Sequence, residues 1–154
     1  MKVIVINGPN INMLGIREPD IYGRKTYSDL EDYVNQYCKA ENVDYVMVQS
    51  NHEGVIVDII QDALGKFDAI VINPAAYTHT SVAIADALKA VALPAVEVHL
   101  TDPDSREEYR RVSYTAEACI AVVKGKGFGG YGEAISRLKD SLSGECTRQK
   151  DLNL

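Results

Sequence analysis

The chain has three histidines, His52, His79 and His99, and each stands at the end of a short apolar run or in the segment that follows one. In an open parallel sheet, ligands bind at the carboxyl ends of the strands, so all three imidazoles are expected at one edge. The same edge should receive Asn7, Gly8, Pro9 and Asn10 from the first run and Gln49 to Glu53 from the second. The third run delivers Asn73 and Pro74, and the fourth delivers Leu100 and Thr101. Packing alone would favour apolar residues there. Glu97 lies inside an otherwise apolar run, two residues before His99, so both side chains point to one face of a strand. A carboxylate in that position orients an imidazole and favours its protonated form. Such a pair can deliver a proton, although a satisfied buried polar pair has the same spacing. Asn10, Asn12 and Asn73 could equally shape turns. Tyr22, one of nine tyrosines, and Arg17 and Arg110 carry no chemical signal by themselves.

The elements that must position these residues alternate regularly. Residues 2–7, 44–49, 68–73, 94–99 and 118–124 are short apolar runs of the kind found in buried parallel strands. Leu30, Val34, Tyr37 and Cys38 form a helical stripe, with Ser28 and Glu31 spaced as a capping box. Ile56, Ile59, Ile60, Ala63 and Leu64 form a second stripe, closed by Gly65. Val82, Ala85, Leu88 and Val91 form a third, and Tyr131, Ala134, Ile135, Leu138 and Leu142 a fourth. The expected fold is α/β, a flavodoxin-like three-layer sandwich with a five-stranded parallel sheet in the order 2-1-3-4-5. One domain is expected over 1–143, followed by a polar tail over 144–154 that should fray. The segment "NGPNINMLGIREPDIYGRK" stands out, because it has no helical stripe where a helix should begin within a few residues of the first strand.

Composition removes several classes of function. The 154 residues are 46% hydrophobic and 25% charged, as in an ordinary globular domain. No apolar run is long enough for a membrane span. No basic, apolar and cleavage-site regions occur in order at the start, so no signal peptide is expected. The net charge of −6 argues against nucleic acid as the main partner. The three cysteines are widely spaced and suggest reduced thiols in a cytoplasm. "GKGFGG" at 125–130 lacks the spacing of a dinucleotide or nucleotide-phosphate loop and suits a tight strand-to-helix turn. No metal-ligand motif appears.

The segments "VINGPNINMLGIREPDIYG", "QSNHEG", "INPAAYTHTSVAIADAL", "VEVHLTDPDSREEYRRVSY" and "KGKGFGGYGEAI", in that order, closely resemble type II 3-dehydroquinate dehydratase. The resemblance implies a hydro-lyase that dehydrates 3-dehydroquinate reversibly to 3-dehydroshikimate in the shikimate pathway, by anti elimination through an enolate, without cofactor or Schiff base. It implies that Tyr22 is the base, that Arg17 favours its phenolate, and that His99, backed by Glu97, protonates the departing hydroxyl. Asn10 would position the tyrosine and a water near the enolate oxygen. Asn73, His79 and Arg110 would contact substrate hydroxyls, and the amides of Leu100 and Thr101 would hold its carboxylate. Asp86 would reach a neighbouring subunit's site in trimers that build a dodecamer, and Glu53 would support the site. The irregular segment then reads as a lid carrying base and activator, with Gly15 and Gly23 as hinges.

The chain departs from the family pattern at Thr101, Asp102, Pro103 and Asp104. Two aspartates near an anionic substrate are expected to weaken its binding without removing the chemistry. The rivals to an active enzyme are a binding module of the same fold and a catalytically dead structural relative. The joint presence of Arg17, Tyr22 and His99 favours the enzyme, since binding alone needs neither base nor acid.

Overall fold

The computed structural model describes residues 1–16 and 18–151, apart from the side chains of Tyr22 and of 145–151. Five strands, β1 (Lys2–Asn7), β2 (Asp44–Gln49), β3 (Ala69–Asn73), β4 (Ala95–His99) and β5 (Ala121–Lys124), form one sheet. Every pairing is parallel and the order is β2-β1-β3-β4-β5, as the sequence leads one to expect. The register places Asn7 beside both Gln49 and Asn73, so three polar strand ends meet at one edge.

Alternation along β1 explains the layers. Val3 and Val5 face helices α2 (Tyr27–Glu41) and α5 (Gly129–Asp151), whose Leu30, Val34, Ala134, Ile135 and Leu138 close that core. Ile4 and Ile6 face α3 (Glu53–Asp62) and α4 (Val82–Val91), through Ile56, Ile60, Ile84 and Leu88. α1 is a single turn, Pro19–Tyr22, so the segment read as wholly irregular contains a short helix. Gly15 and Gly23 on either side of it have φ of 82° and 79°, the left-handed region that suits glycine. α5 continues through Gly144 to Asp151.

Four local details differ from the expectation. The capping box of α2 is Thr26 with Asp29, not Ser28 with Glu31: the Asp29 N–H donates to the Thr26 hydroxyl, and the Thr26 N–H to the Asp29 carboxylate. Starting there brings Tyr27 onto the core-facing side, where it packs on the cluster. The fifth strand begins at Ala121 rather than 118, because Thr115–Ala118 is drawn into a 3-10 turn. Leu64 is exposed, since α3 stops at Asp62 and the chain turns through Gly65, φ 74°. Val82 is exposed at the first position of α4, whose N-cap is the Ser81 hydroxyl. Among the described residues, no helix is long and apolar enough to cross a membrane. Cys38 and Cys119 are free thiols, pushed up by burial to about 11 and about 12, so both stay protonated near neutrality.

Candidate active site

The first loop is built by close backbone approach. Gly8 donates its N–H to the Asn73 carbonyl at 2.7 Å. A Cβ at Gly8 would lie 2.5 Å from the Pro74 carbonyl oxygen, so no larger residue fits. Gln49 donates its side-chain amide to the Gly8 carbonyl at 3.1 Å and to the Asn51 side chain at 3.0 Å. The Asn51 side chain in turn accepts the Asn10 N–H at 3.0 Å. Asn10 itself is left-handed, φ 68°, a conformation asparagine tolerates better than most residues. The end of β2 thus holds the loop after β1.

Across the edge, β4 ends in the Glu97–His99 pair, with Glu97 fully buried and His99 nearly so. His99 Nε2 donates to Glu97 Oε1 at 2.5 Å. Thr78 donates to the same oxygen at 2.7 Å, and Thr115 to Oε2 at 2.5 Å. Ser113 lies 3.1 Å from Oε1. Burial alone would push the Glu97 carboxyl up, but the hydrogen bond and charge of His99 and the Thr115 and Thr78 hydroxyls outweigh it. Together they hold the group below its usual range. With Nε2–H committed to a carboxylate, Nδ1 of His99 is the nitrogen left for a ligand. An imidazolium held this way can donate a proton from Nδ1.

The remaining polar groups surround an open cleft at this edge of the sheet. Asn10, Asn73, His79, His99, Leu100, Thr101 and Arg110 line it, together with Ile11, Leu14, Ala75, Ala76, Pro103 and Arg106. His79 Nδ1 is 2.7 Å from the Val112 carbonyl, which fixes its ring. Arg110 Nε donates to Glu107 at 2.8 Å, and its guanidinium lies over the Tyr109 ring. Arg106 is 3.6 Å from Glu107 and 3.9 Å from Glu18, which directly precedes α1. The turn carrying Leu100 is fixed from behind: Gly125 donates to the His99 carbonyl at 3.2 Å, and Gly127 to the Leu100 carbonyl at 2.9 Å. The "GKGFGG" run is therefore a strand-to-helix turn, with Gly125 and Gly127 both at positive φ.

The Dehydroquinase class II family matches residues 1–139. The chain belongs to this family. The 3-dehydroquinate dehydratase of Clostridium acetobutylicum is 52% identical over 143 residues, covering 93% of this chain and 99% of that protein. The type II dehydroquinase structure from Butyrivibrio crossotus is 49% identical with a TM-score of 0.89, covering 90% of this chain and 97% of that one. The corresponding structure from Propionibacterium acnes is 37% identical with a TM-score of 0.85, covering 89% and 94%.

Within this dehydroquinase-family fold, seven of the residues singled out from sequence converge on the cleft: Asn10, Asn73, His79, His99, Leu100, Thr101 and Arg110. Glu97 sits directly behind them. Asp86 is exposed on α4 and does not line the cleft of its own chain. Glu53 is the first residue of α3, outside the cleft, and His52 is the exposed residue before it. Arg17 lies outside the described residues. Tyr22 ends α1 in backbone trace, and its side chain lies outside them too. The aspartates that sequence sets near the substrate meet Lys124, which pairs with Asp104 and lies 3.6 Å from Asp102. Of that run Thr101 and Pro103 line the cleft, and the charge of Asp104 is still felt at His99. Sequence reasoning missed Arg106, the Gln49–Asn51 brace and the three hydroxyls on Glu97. Thr78, adjacent to His79, was the one with a visible cue. Among the described residues, no three of His, Cys, Asp and Glu converge as a metal site.

Proposed function

We propose that the protein is a working 3-dehydroquinate dehydratase of the shikimate pathway. A phenolate at Tyr22, favoured by Arg17, takes the proton beside the ketone, and the C–H electron pair becomes an enolate. Collapse of the enolate breaks the C–O bond of the departing hydroxyl, which takes a proton from His99 Nδ1 and leaves as water. The product is the conjugated enone. A buried carboxylate that binds Nε2 of an imidazole at a cleft's edge carries this reading, since it supplies an acid aimed at the ligand.

The other roles follow from the cleft lining and the family. Asn73, His79 and Arg110 hold substrate hydroxyls, and the amides of Leu100 and Thr101 hold its carboxylate. Asn10 orders a water near the enolate oxygen. The reaction as drawn needs no Schiff base and balances with no cofactor. Asp86, exposed on α4, completes the site of a neighbouring copy in trimers that build a dodecamer, and Glu53 supports the loop after β2. The enzyme works in the cytoplasm.

The decisive experiment follows the ultraviolet absorbance of the enone when purified protein meets 3-dehydroquinate. Tyr22→Phe should abolish turnover while leaving ligand binding nearly intact. Near-wild-type kcat in that variant would refute the mechanism.

A further inference from the structure

Tyr131, the third residue of α5, is fully buried beneath the sheet edge. It reaches that depth because α5 starts against the strands: a Cβ at Gly130 would lie 3.3 Å from Val98 Cγ1 and 3.5 Å from Val123 Cγ1. Its hydroxyl donates to Asn7 Oδ1 at 2.6 Å and accepts from Asn73 Nδ2 at 2.9 Å. Asn73 Oδ1 accepts the Ala75 N–H at 3.2 Å. A hydroxyl has one hydrogen to give, and here Asn7 takes it. What remains for Asn73 is an acceptor, which only its amide nitrogen can meet.

We propose that Tyr131 is a positioning residue for Asn73, fixing which end of the Asn73 amide meets the substrate. The reversed amide would set its NH2 group against the Ala75 N–H, and its carbonyl against a hydroxyl oxygen with no hydrogen to offer. Both contacts are repulsive, so one orientation survives. Asn73 then presents one N–H and one carbonyl lone pair in fixed places to a ligand hydroxyl. The first of these three residues shows that the relay has a cost. The Asn7 side chain is completely buried, and its Nδ2 makes at most a long contact to the Tyr27 hydroxyl. A buried amide whose nitrogen is bonded so weakly is consistent with the use made of its carbonyl. The glycine-rich turn thus has a second consequence, since it seats α5 closely enough for Tyr131 to reach Asn73.

The proposal rests on Asn73 being a substrate contact, and a double-mutant cycle separates the two ideas. Tyr131→Phe should lower kcat/KM about tenfold, mostly through KM, because the displaced contact exists in both ground and transition states. Asn73→Ala should lower it about thirtyfold, and adding Tyr131→Phe to that variant should change it less than about twofold. Full additivity, or wild-type kinetics in Tyr131→Phe, would show that Tyr131 only packs the core and would overturn the proposal. An Asn73→Ala variant with unchanged kcat/KM would overturn its premise instead. Should Tyr131→Phe fail to fold, Asn7→Ala serves in its place: it frees the hydroxyl hydrogen, and its loss of kcat/KM should likewise vanish in the Asn73→Ala background.

Discussion

Replacing Glu97 with glutamine tests the acid directly, because the two side chains are nearly isosteric and the site is closed to solvent. In the wild type the carboxylate accepts from His99 Nε2 at 2.5 Å, Thr78 at 2.7 Å and Thr115 at 2.5 Å. Glutamine keeps one acceptor oxygen, removes the negative charge and turns the other atom into a donor facing hydroxyls. Losing one charge-assisted hydrogen bond at a buried site costs about 2 kcal/mol, equivalent to a fall in kcat of roughly thirtyfold. The expected signature is a lowered kcat with KM within about threefold. A second measurement checks the same carboxylate without substrate. The folded protein holds Glu97 below its usual carboxylate range, so it binds its proton less readily folded than unfolded. The stability it confers is complete above the unfolded value of about 4.3 and is lost as pH falls through the lower folded value. Urea unfolding between pH 3 and 7 should therefore show a shallower acid-side loss in Glu97→Gln than in the wild type. A kcat within threefold of wild type, or identical acid profiles, would refute the assignment of Glu97 as the charge behind His99.

Other perturbations follow from the same contacts. Thr115→Val removes the donor to Glu97 Oε2 and should lower kcat about fivefold, with Thr115→Ser restoring it in the same assay. Gly8→Ala must move a backbone carbonyl 2.5 Å from the new Cβ. It should cost about 2 kcal/mol in urea unfolding, and an unchanged midpoint would contradict the close crossing. Lys124→Ala exposes the charges of Asp102 and Asp104 and should raise KM for the anionic substrate about twofold at low salt. That difference should disappear near 0.5 M salt, which steady-state kinetics at two ionic strengths would show.

The sheet was legible because β1, β3 and β4 are buried on both faces, so apolar runs, broken inside only at Glu97 of β4, identify them and their polar ends mark the edge. The Glu97–His99 pair was legible for a related reason: two residues apart on a strand means one face. The hydroxyls around Glu97 were not, since Thr78, Ser113 and Thr115 lie 19, 16 and 18 residues away in sequence. Nothing local links an isolated serine or threonine to a carboxylate on another element. The same blindness shifted the start of β5, because Thr115 is drawn toward Glu97 and the apolar run before Ala121 gives no sign of it. The α2 cap was misread because two overlapping capping patterns occur, and packing of Tyr27 decides between them. Asp102 and Asp104 were legible as neighbours of the site, but their pairing with Lys124 was not, because sequence gives proximity to a ligand and not the direction of a side chain.

Glu97 also anchors the connection between β4 and β5, where a helix would ordinarily cross and only 3-10 turns occur. Stability and turnover are thereby tied to one carboxylate. Buried ionic clusters can often be exchanged for well-packed hydrocarbon with no loss of stability, or even a gain. An engineer screening this region for heat resistance would thus be drawn to apolar replacements of Glu97 and its hydroxyl partners. Such variants would come through a thermal screen as sturdier proteins whose His99 has lost the charge that holds it ready to release water.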